Sequence, residues 1–264
     1  MRIGIFDSGL GGLIIARGIF KKLPQYDYLF LGDTKLVPYG NRSQAQILKF
    51  TKQALSYLFQ QNCKIVIIAC NTSSAKALRK IQQEFLPRYF PDRKVLGVIV
   101  PTLESIPKNS KRIGVIATKS TCRSHAYKKE LAKINDRMAV FEQASPQLVP
   151  FIENDAIDSA NSKLNSYLTP LLKKNIDTLI LGCTHYPILK KAVRAKIGTG
   201  VKVISQEEIV PQKLKTYLKR HKEISIVLSK NNERKFFVTK INSGFQKVAK
   251  LLFGRSIKLK LVNY

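Results

Sequence analysis

Two cysteines stand where this sequence could do chemistry. Cys70 follows the apolar run Ile65–Ile68 in IVIIACNTSSA and precedes Asn71, Thr72, Ser73 and Ser74, while Cys183 follows DTLIL and precedes Thr184 and His185. A thiol between a strand and a helix start meets unpaired N–H groups and the positive end of the helix dipole. Both favour the thiolate that serves as base or nucleophile. For either cysteine alone, an inert core thiol is the competing reading. Two such thiols on opposite walls of one cleft would do more: one removes a proton from a carbon, the other delivers one to the opposite face, and the stereocentre inverts. Asp7, ending the first strand, is a candidate to orient or deprotonate Cys70, and His185 to assist Cys183. Ser8, Asn71, Thr72, Thr118, Thr121 and Thr184 fall at strand ends or helix starts, where hydroxyls, amides and free N–H groups would hold carboxylates. Tyr39 and Gly40 are candidate walls of a ligand site, with a plain Pro-Gly turn as the alternative. Glu153 is a candidate supporting acid, set against the commoner role of a solvated glutamate.

The elements that must position these groups alternate in kind. Arg2–Phe6 reads as a strand, Asp7–Gly12 as a glycine-rich turn, and Leu13 onward as a helix ending near Pro24. A strand over Tyr28–Leu31, a polar loop, a helix over Ser43–Gln60, the strand before Cys70 and a helix to about Phe85 follow. Lys94–Val100 reads as a further strand. At Arg112 the plan restarts: RIGVIATKSTCRSHAY repeats RIGIFDSGLGGLIIA, and the separation from Gly4 to Cys70 nearly equals that from Gly114 to Cys183. LVPFIEND reads as a strand end and loop before a helix through Leu164, Leu168 and Leu171. Strands over Asp177–Leu181 and Val201–Ile204 and a helix over Glu207–Lys222 come next. The tail, with short strands at Ile224–Leu228 and Lys235–Val238 and a helix over Phe245–Phe253, breaks the alternation and is expected to pack back on the first half. The expectation is an α/β protein of two similar domains with mostly parallel sheets facing each other across a central cleft.

Composition narrows the partners. The 264 residues are 44% hydrophobic and 24% charged, an ordinary globular balance, with no apolar run long enough to span a bilayer and no signal-peptide pattern. Four cysteines without a CxxC pair point to reduced thiols in the cytoplasm. A net charge of +29 raises nucleic acid as a partner, but the basic residues are spread along the chain and no nucleic-acid-binding motif accompanies them. A Lys-rich solvated surface is the default. Gly9 and Gly11 match the start of a dinucleotide GxGxxG with Asp33 downstream, yet Ile14 stands at the third glycine. No metal-ligand set and no phosphate-binding P-loop is present, and a Cys-His hydrolase built on Cys183 and His185 would leave Cys70 without a role.

FDSGLGG at 6–12, PYG at 38–40, ACNTSSA at 69–75 and GCTHYP at 182–187 together resemble, in order and spacing, the glutamate racemases of the aspartate/glutamate racemase family. The resemblance spans nearly the whole chain. It implies a cofactor-independent, two-base isomerase that interconverts L- and D-glutamate, the latter for peptidoglycan and hence cell-wall biogenesis and cell shape. It assigns Cys70 as the base acting on D-glutamate and Cys183 as the base acting on L-glutamate, with Asp7 and His185 assisting. Asp7, Ser8, Tyr39, Gly40, Asn71, Thr72, Thr184 and His185 would line the substrate site. It also makes the tail part of the first domain, giving 1–98 plus 207–264 on the Cys70 side and 99–206 on the Cys183 side. Val100, where many members carry Glu, and Thr239-Lys240-Ile241, where threonine-glycine-aspartate is common, depart from the family pattern. Racemisation of aspartate or another amino acid, and a basic nucleic-acid-binding protein with secondary or no racemase activity, stay open as alternatives. A homodimer also stays open.

Overall fold

The computed structural model describes residues 1–264, the side chain of Ser243 excepted. In chain order the strands are β1 (Arg2–Asp7), β2 (Tyr28–Gly32), β3 (Cys63–Ile68), β4 (Lys94–Gly97), β5 (Arg112–Ala117), β6 (Ala139–Ala144), β7 (Thr178–Gly182), β8 (Lys202–Ser205), β9 (Arg234–Val238) and β10 (Leu259–Leu261). They form a six-stranded sheet of order β10-β9-β2-β1-β3-β4 and a four-stranded sheet of order β6-β5-β7-β8. Every pairing in both is parallel. The block β2-β1-β3-β4 and the block β6-β5-β7-β8 are the same arrangement met twice, as the sequence restart at Arg112 predicts.

Parallel sheets are covered by helices on both faces, so their strands read as unbroken apolar runs. In β3 and the residues after it, Ile65, Ile67 and Ala69 join one buried cluster while Val66, Ile68 and Cys70 join another on the opposite face. The first cluster also holds Leu13 and Ile14 of the helix Gly12–Lys22, and runs on through Leu179, Leu181, Cys183 and Tyr186 of the second half. One core therefore fuses the two halves. At about 1.5–3 kcal/mol for each large apolar side chain fully buried, this shared cluster is a main support of their mutual placement.

The tail behaves partly as expected. β9 pairs with β2 and β10 with β9, extending the first sheet. Residues around Ile224–Leu228, read as a strand, instead form the short helix Lys222–Ser225, and β10 has no counterpart in the sequence reading. The expected strand Lys94–Val100 stops at Gly97, where Leu78 Cδ2 would lie 2.5 Å from an added Cβ, and the chain turns into the helix Ile99–Leu103. Pro101 fits there because it sits in the first turn, where backbone N–H groups have no helical partner anyway. The same reason admits Pro150 in the helix Leu148–Glu153, a stretch read as strand end and loop. The helix after Cys70 is also not continuous: Asn71–Lys76 gives way to Leu78–Lys80, a π turn over Ile81–Phe85 and the helical turn Leu86–Tyr89. Widening the helix just before Pro87 accommodates a residue without an N–H.

Candidate active site

In a parallel sheet whose chain winds both ways, the crevice opens beyond the carboxyl ends of the strands where the winding reverses. Here those points lie between β1 and β3 in one sheet and between β5 and β7 in the other. β1 ends at Asp7 and is followed by Ser8; β3 leads to Cys70; β5 leads to Thr118; β7 leads to Cys183. A cavity of about 70 Å³ lies among them, lined by Ser8, Tyr39, Gly40, Cys70, Asn71, Thr72, Thr118, Glu153, Cys183, Thr184 and His185, with Lys119, Ser145 and neighbouring loop residues. It has no room for a dinucleotide. Of the expected site residues, Asp7 and Thr121 do not line it; both are fully buried behind its wall.

Each cysteine is held by its local fold. Cys70 is the N-cap of the helix Asn71–Lys76, its Sγ accepting from the Ser73 N–H at 3.4 Å and lying 3.2 Å from Ser8 Oγ. The expectation that this position favours the thiolate is overturned. Burial pushes the Cys70 thiol up, the nearby Asp7 charge adds to it, and the bonds from Ser8 and Ser73 do not reverse the balance. The group in direct contact with Cys70 is Ser8 rather than Asp7. One Asp7 carboxylate oxygen accepts from the Gly9 N–H at 3.1 Å, while Oδ1 is buried without a partner. Burial raises the Asp7 pKa against the pull of His185 and the Gly12 and Gly9 N–H groups. Asp7 thus holds a proton more firmly than an ordinary aspartate.

On the opposite wall, His185 Nδ1 lies 3.8 Å from Cys183 Sγ and Nε2 lies 3.1 Å from Glu153 Oε1. Burial alone would lower the His185 pKa, but the partners Cys183 and Glu153 outweigh it and hold it well above the ordinary imidazole value. The ring carries a proton between a sulfur and a carboxylate. Glu153 reaches it from the end of the helix Leu148–Glu153, so the acid singled out in the sequence joins the Cys183 side. The other two cysteines, Cys63 and Cys122, are also pushed up by burial, to about 12, and neither lines the cavity.

The glycine turn serves this closeness, not a phosphate. An added Cβ at Gly11 would lie 2.5 Å from His185 Nδ1 and from Thr184 Oγ1. Only a residue without a side chain lets the first half approach the Cys183 loop so nearly. Asp33, weighed in the sequence as part of a dinucleotide site, instead accepts from Tyr39 OH at 2.6 Å and from Thr239 Oγ1 at 2.8 Å. The departing tail segment therefore still reaches the site, through Thr239 and Asp33 to Tyr39. Val100 does not; it lines a separate groove between the halves.

Bonds across the halves hold the walls together. Thr72 Oγ1 lies 3.0 Å from Thr118 Oγ1 and 3.3 Å from Thr121 Oγ1, which gives the buried Thr121 a bracing place. Asn71 lines the cavity, yet its side chain is engaged elsewhere: Nδ2 donates to Gln206 Oε1 at 2.7 Å, and Oδ1 accepts from Tyr127 OH at 2.7 Å and Gln206 Nε2 at 2.9 Å. Its main-chain N–H, at the first position of the helix Asn71–Lys76, has no partner within the helix. Gln206 and Tyr127 were not found by sequence reasoning, and Asp33 and Thr239 were named there in other roles. Only the polar Gln206 directly after an apolar strand gave any local signal.

Two α/β halves of one strand order, each leading a central strand to a thiol at a single small cavity, make the architecture of an amino-acid racemase. The model of the Asp/Glu/Hydantoin racemase family matches residues 15–210, and the chain belongs to that family. It is 38% identical to a glutamate racemase of Persephonella marina over 264 residues, covering 98% of this chain and 96% of the relative. Among solved structures, a glutamate racemase isoform from Bacillus anthracis superposes with a TM-score of 0.89 at 35% identity, over 99% of this chain and 97% of that one. The glutamate racemase of Francisella tularensis, solved in complex with D-glutamate, gives 0.87 at 34% identity over the same shares.

Proposed function

We propose that this chain is a glutamate racemase that works without a cofactor through two cysteine bases. The observation that carries the reading is that Cys70 and Cys183, following equivalent strands of the two sheets, line one small cavity. In the L-to-D direction Cys183, as thiolate, takes the α-proton of L-glutamate, and Cys70, as thiol, gives its proton to the opposite face of the same carbon. The raised pKa of Cys70 suits a group that waits protonated. In the D-to-L direction the roles exchange. His185, braced by Glu153, keeps a proton within reach of Cys183, and Ser8 does the corresponding work beside Cys70. Gly40, Thr72, Thr118 and Thr184 offer hydroxyls and main-chain groups to the substrate's carboxylates. The relatives named above support glutamate over aspartate as the substrate. We further propose the division into 1–98 plus 207–264 and 99–206, a place in the cytoplasm, and a product used in peptidoglycan.

The test uses pure L-glutamate in deuterated water with reduced protein and no pyridoxal phosphate. D-glutamate carrying solvent deuterium at Cα is expected, and no exchange would sink the proposal. L-aspartate run in parallel decides the sibling substrate: faster turnover of aspartate would overturn the assignment to glutamate.

A further inference from the structure

Beside the cavity lies a second concavity whose chemistry is one-sided. About 420 Å³ in volume, it is lined by Arg42, Lys76, Lys119 and Arg123 with loop residues between them, and no carboxylate lines it. It shares Gly40, Asn41 and Lys119 with the lining of the cavity, so the two spaces are neighbours. None of the four cations enters an ion pair among the described residues. Arg42 donates a long bond of 3.4 Å to the Leu36 carbonyl, and its Nε is buried without an acceptor. Other concave stretches of surface do pair bases with acids, as in Arg79 with Glu130 and Lys213 with Glu104 along the groove that Val100 lines. Here four positive charges line one concavity with no acid among them. Arg42 and Lys76 come from the half that carries Cys70, and Lys119 and Arg123 from the helix that follows β5 in the other half.

We propose that this basin is an anion site that draws the dicarboxylate substrate to the cavity mouth, an inference that rests on the glutamate reading above. Charges of one sign in a concave, low-dielectric wall focus field and raise the local concentration of a small anion. The same basin binds a compact polyanion such as pyrophosphate, which then stands in the entrance and excludes the substrate. The charge excess that the sequence showed without a partner thus has, at this one place, a small-molecule use.

The experiment compares the parent chain with the double variant Lys76→Gln/Arg123→Gln, both positions lying outside the catalytic cavity. Calorimetric titration with pyrophosphate should give binding to the parent and about tenfold weaker binding to the variant, the size expected for two lost charges near a surface. In racemisation at low salt, kcat should be unchanged and kcat/KM about three- to fourfold lower in the variant, the difference vanishing near 0.5 M salt as charges are screened. Pyrophosphate should inhibit the parent competitively with glutamate. Equal pyrophosphate binding in both chains would overturn the anion site, and loss of binding without any change in kcat/KM would overturn its role in substrate entry. If the parent binds pyrophosphate through these cations but racemises nothing, the glutamate reading fails and the anion site stands.

Discussion

Cys70 and Cys183 occupy equivalent places but meet different neighbours, and residue-level tests follow from that difference. Replacing either by Ala removes the only group proposed to move a proton on its face of the substrate. Each variant should lose at least about 10²-fold in racemisation, the lower range for a lost acid or base, while keeping its circular dichroism. L- and D-glutamate have equal free energy in water, so kcat/KM must fall by the same factor in both directions; asymmetry between the two walls shows only in kcat and KM taken separately. Glu153→Gln probes the Cys183 wall more gently. Glu153 helps hold the His185 pKa up, so its loss should move the limb of the pH profile that reports His185 to lower pH. An unmoved profile of kcat/KM against pH would refute the coupling of Glu153 to His185.

Among elements, the turn after β1 and the tail strand β9 decide how the site is shaped. Gly11→Ala would set a Cβ against His185 Nδ1 and Thr184 Oγ1, both 2.5 Å away. Overpacking of this kind costs about 1–3 kcal/mol, and here the strain falls on the imidazole itself. Denaturant unfolding should register that loss, and racemisation should drop about tenfold or more as His185 is displaced from Cys183, as expected when a catalytic group moves. Thr239→Val tests the reach of the tail. It removes the hydroxyl that bonds Asp33, leaving a buried carboxylate oxygen unsatisfied at about 1–3 kcal/mol. Because Asp33 orients Tyr39, the variant should raise KM more than it lowers kcat, and rescue by Thr239→Ser separates the lost hydroxyl from the lost volume. These contacts were out of reach of sequence reasoning because Asp33 and Thr239 lie far apart in the chain and meet only through the pairing of β2 with β9.

For the whole molecule, the buried titratable groups tie stability to pH. His185 is held above its ordinary value near 6.5, so its contribution is fully present below that pH and is lost as pH rises through the folded value. Asp7 is raised from 3.8 by burial: the folded chain keeps its proton where the unfolded chain has released it, so stability again falls as pH rises through the folded value. Both act in one direction. The melting temperature should therefore decline from mildly acid to alkaline pH. Asp7→Asn should flatten the lower part of that decline and His185→Gln the upper part, each read by calorimetry across the pH range.

The two α/β halves, their parallel strands, the paired thiols and the return of the tail were legible in the amino-acid order, because apolar runs and their repeat are local patterns that burial on both faces imposes. Helices where Pro101 and Pro150 stand were not, since a proline that ends most patterns is harmless in a first turn. The state of the thiol was likewise beyond local reading. The chain around Cys70 predicts a helix start that favours negative charge, but the folded protein buries that sulfur beside Asp7, and desolvation wins. Which acid meets His185, which hydroxyl meets Cys70, and that four cations line one concavity are matters of distance between residues remote in sequence. Chain order determined which groups exist and which strand each one follows. Tertiary packing alone decided which of them touch, and in water-poor surroundings it is contact and burial that set the proton affinities on which the chemistry depends.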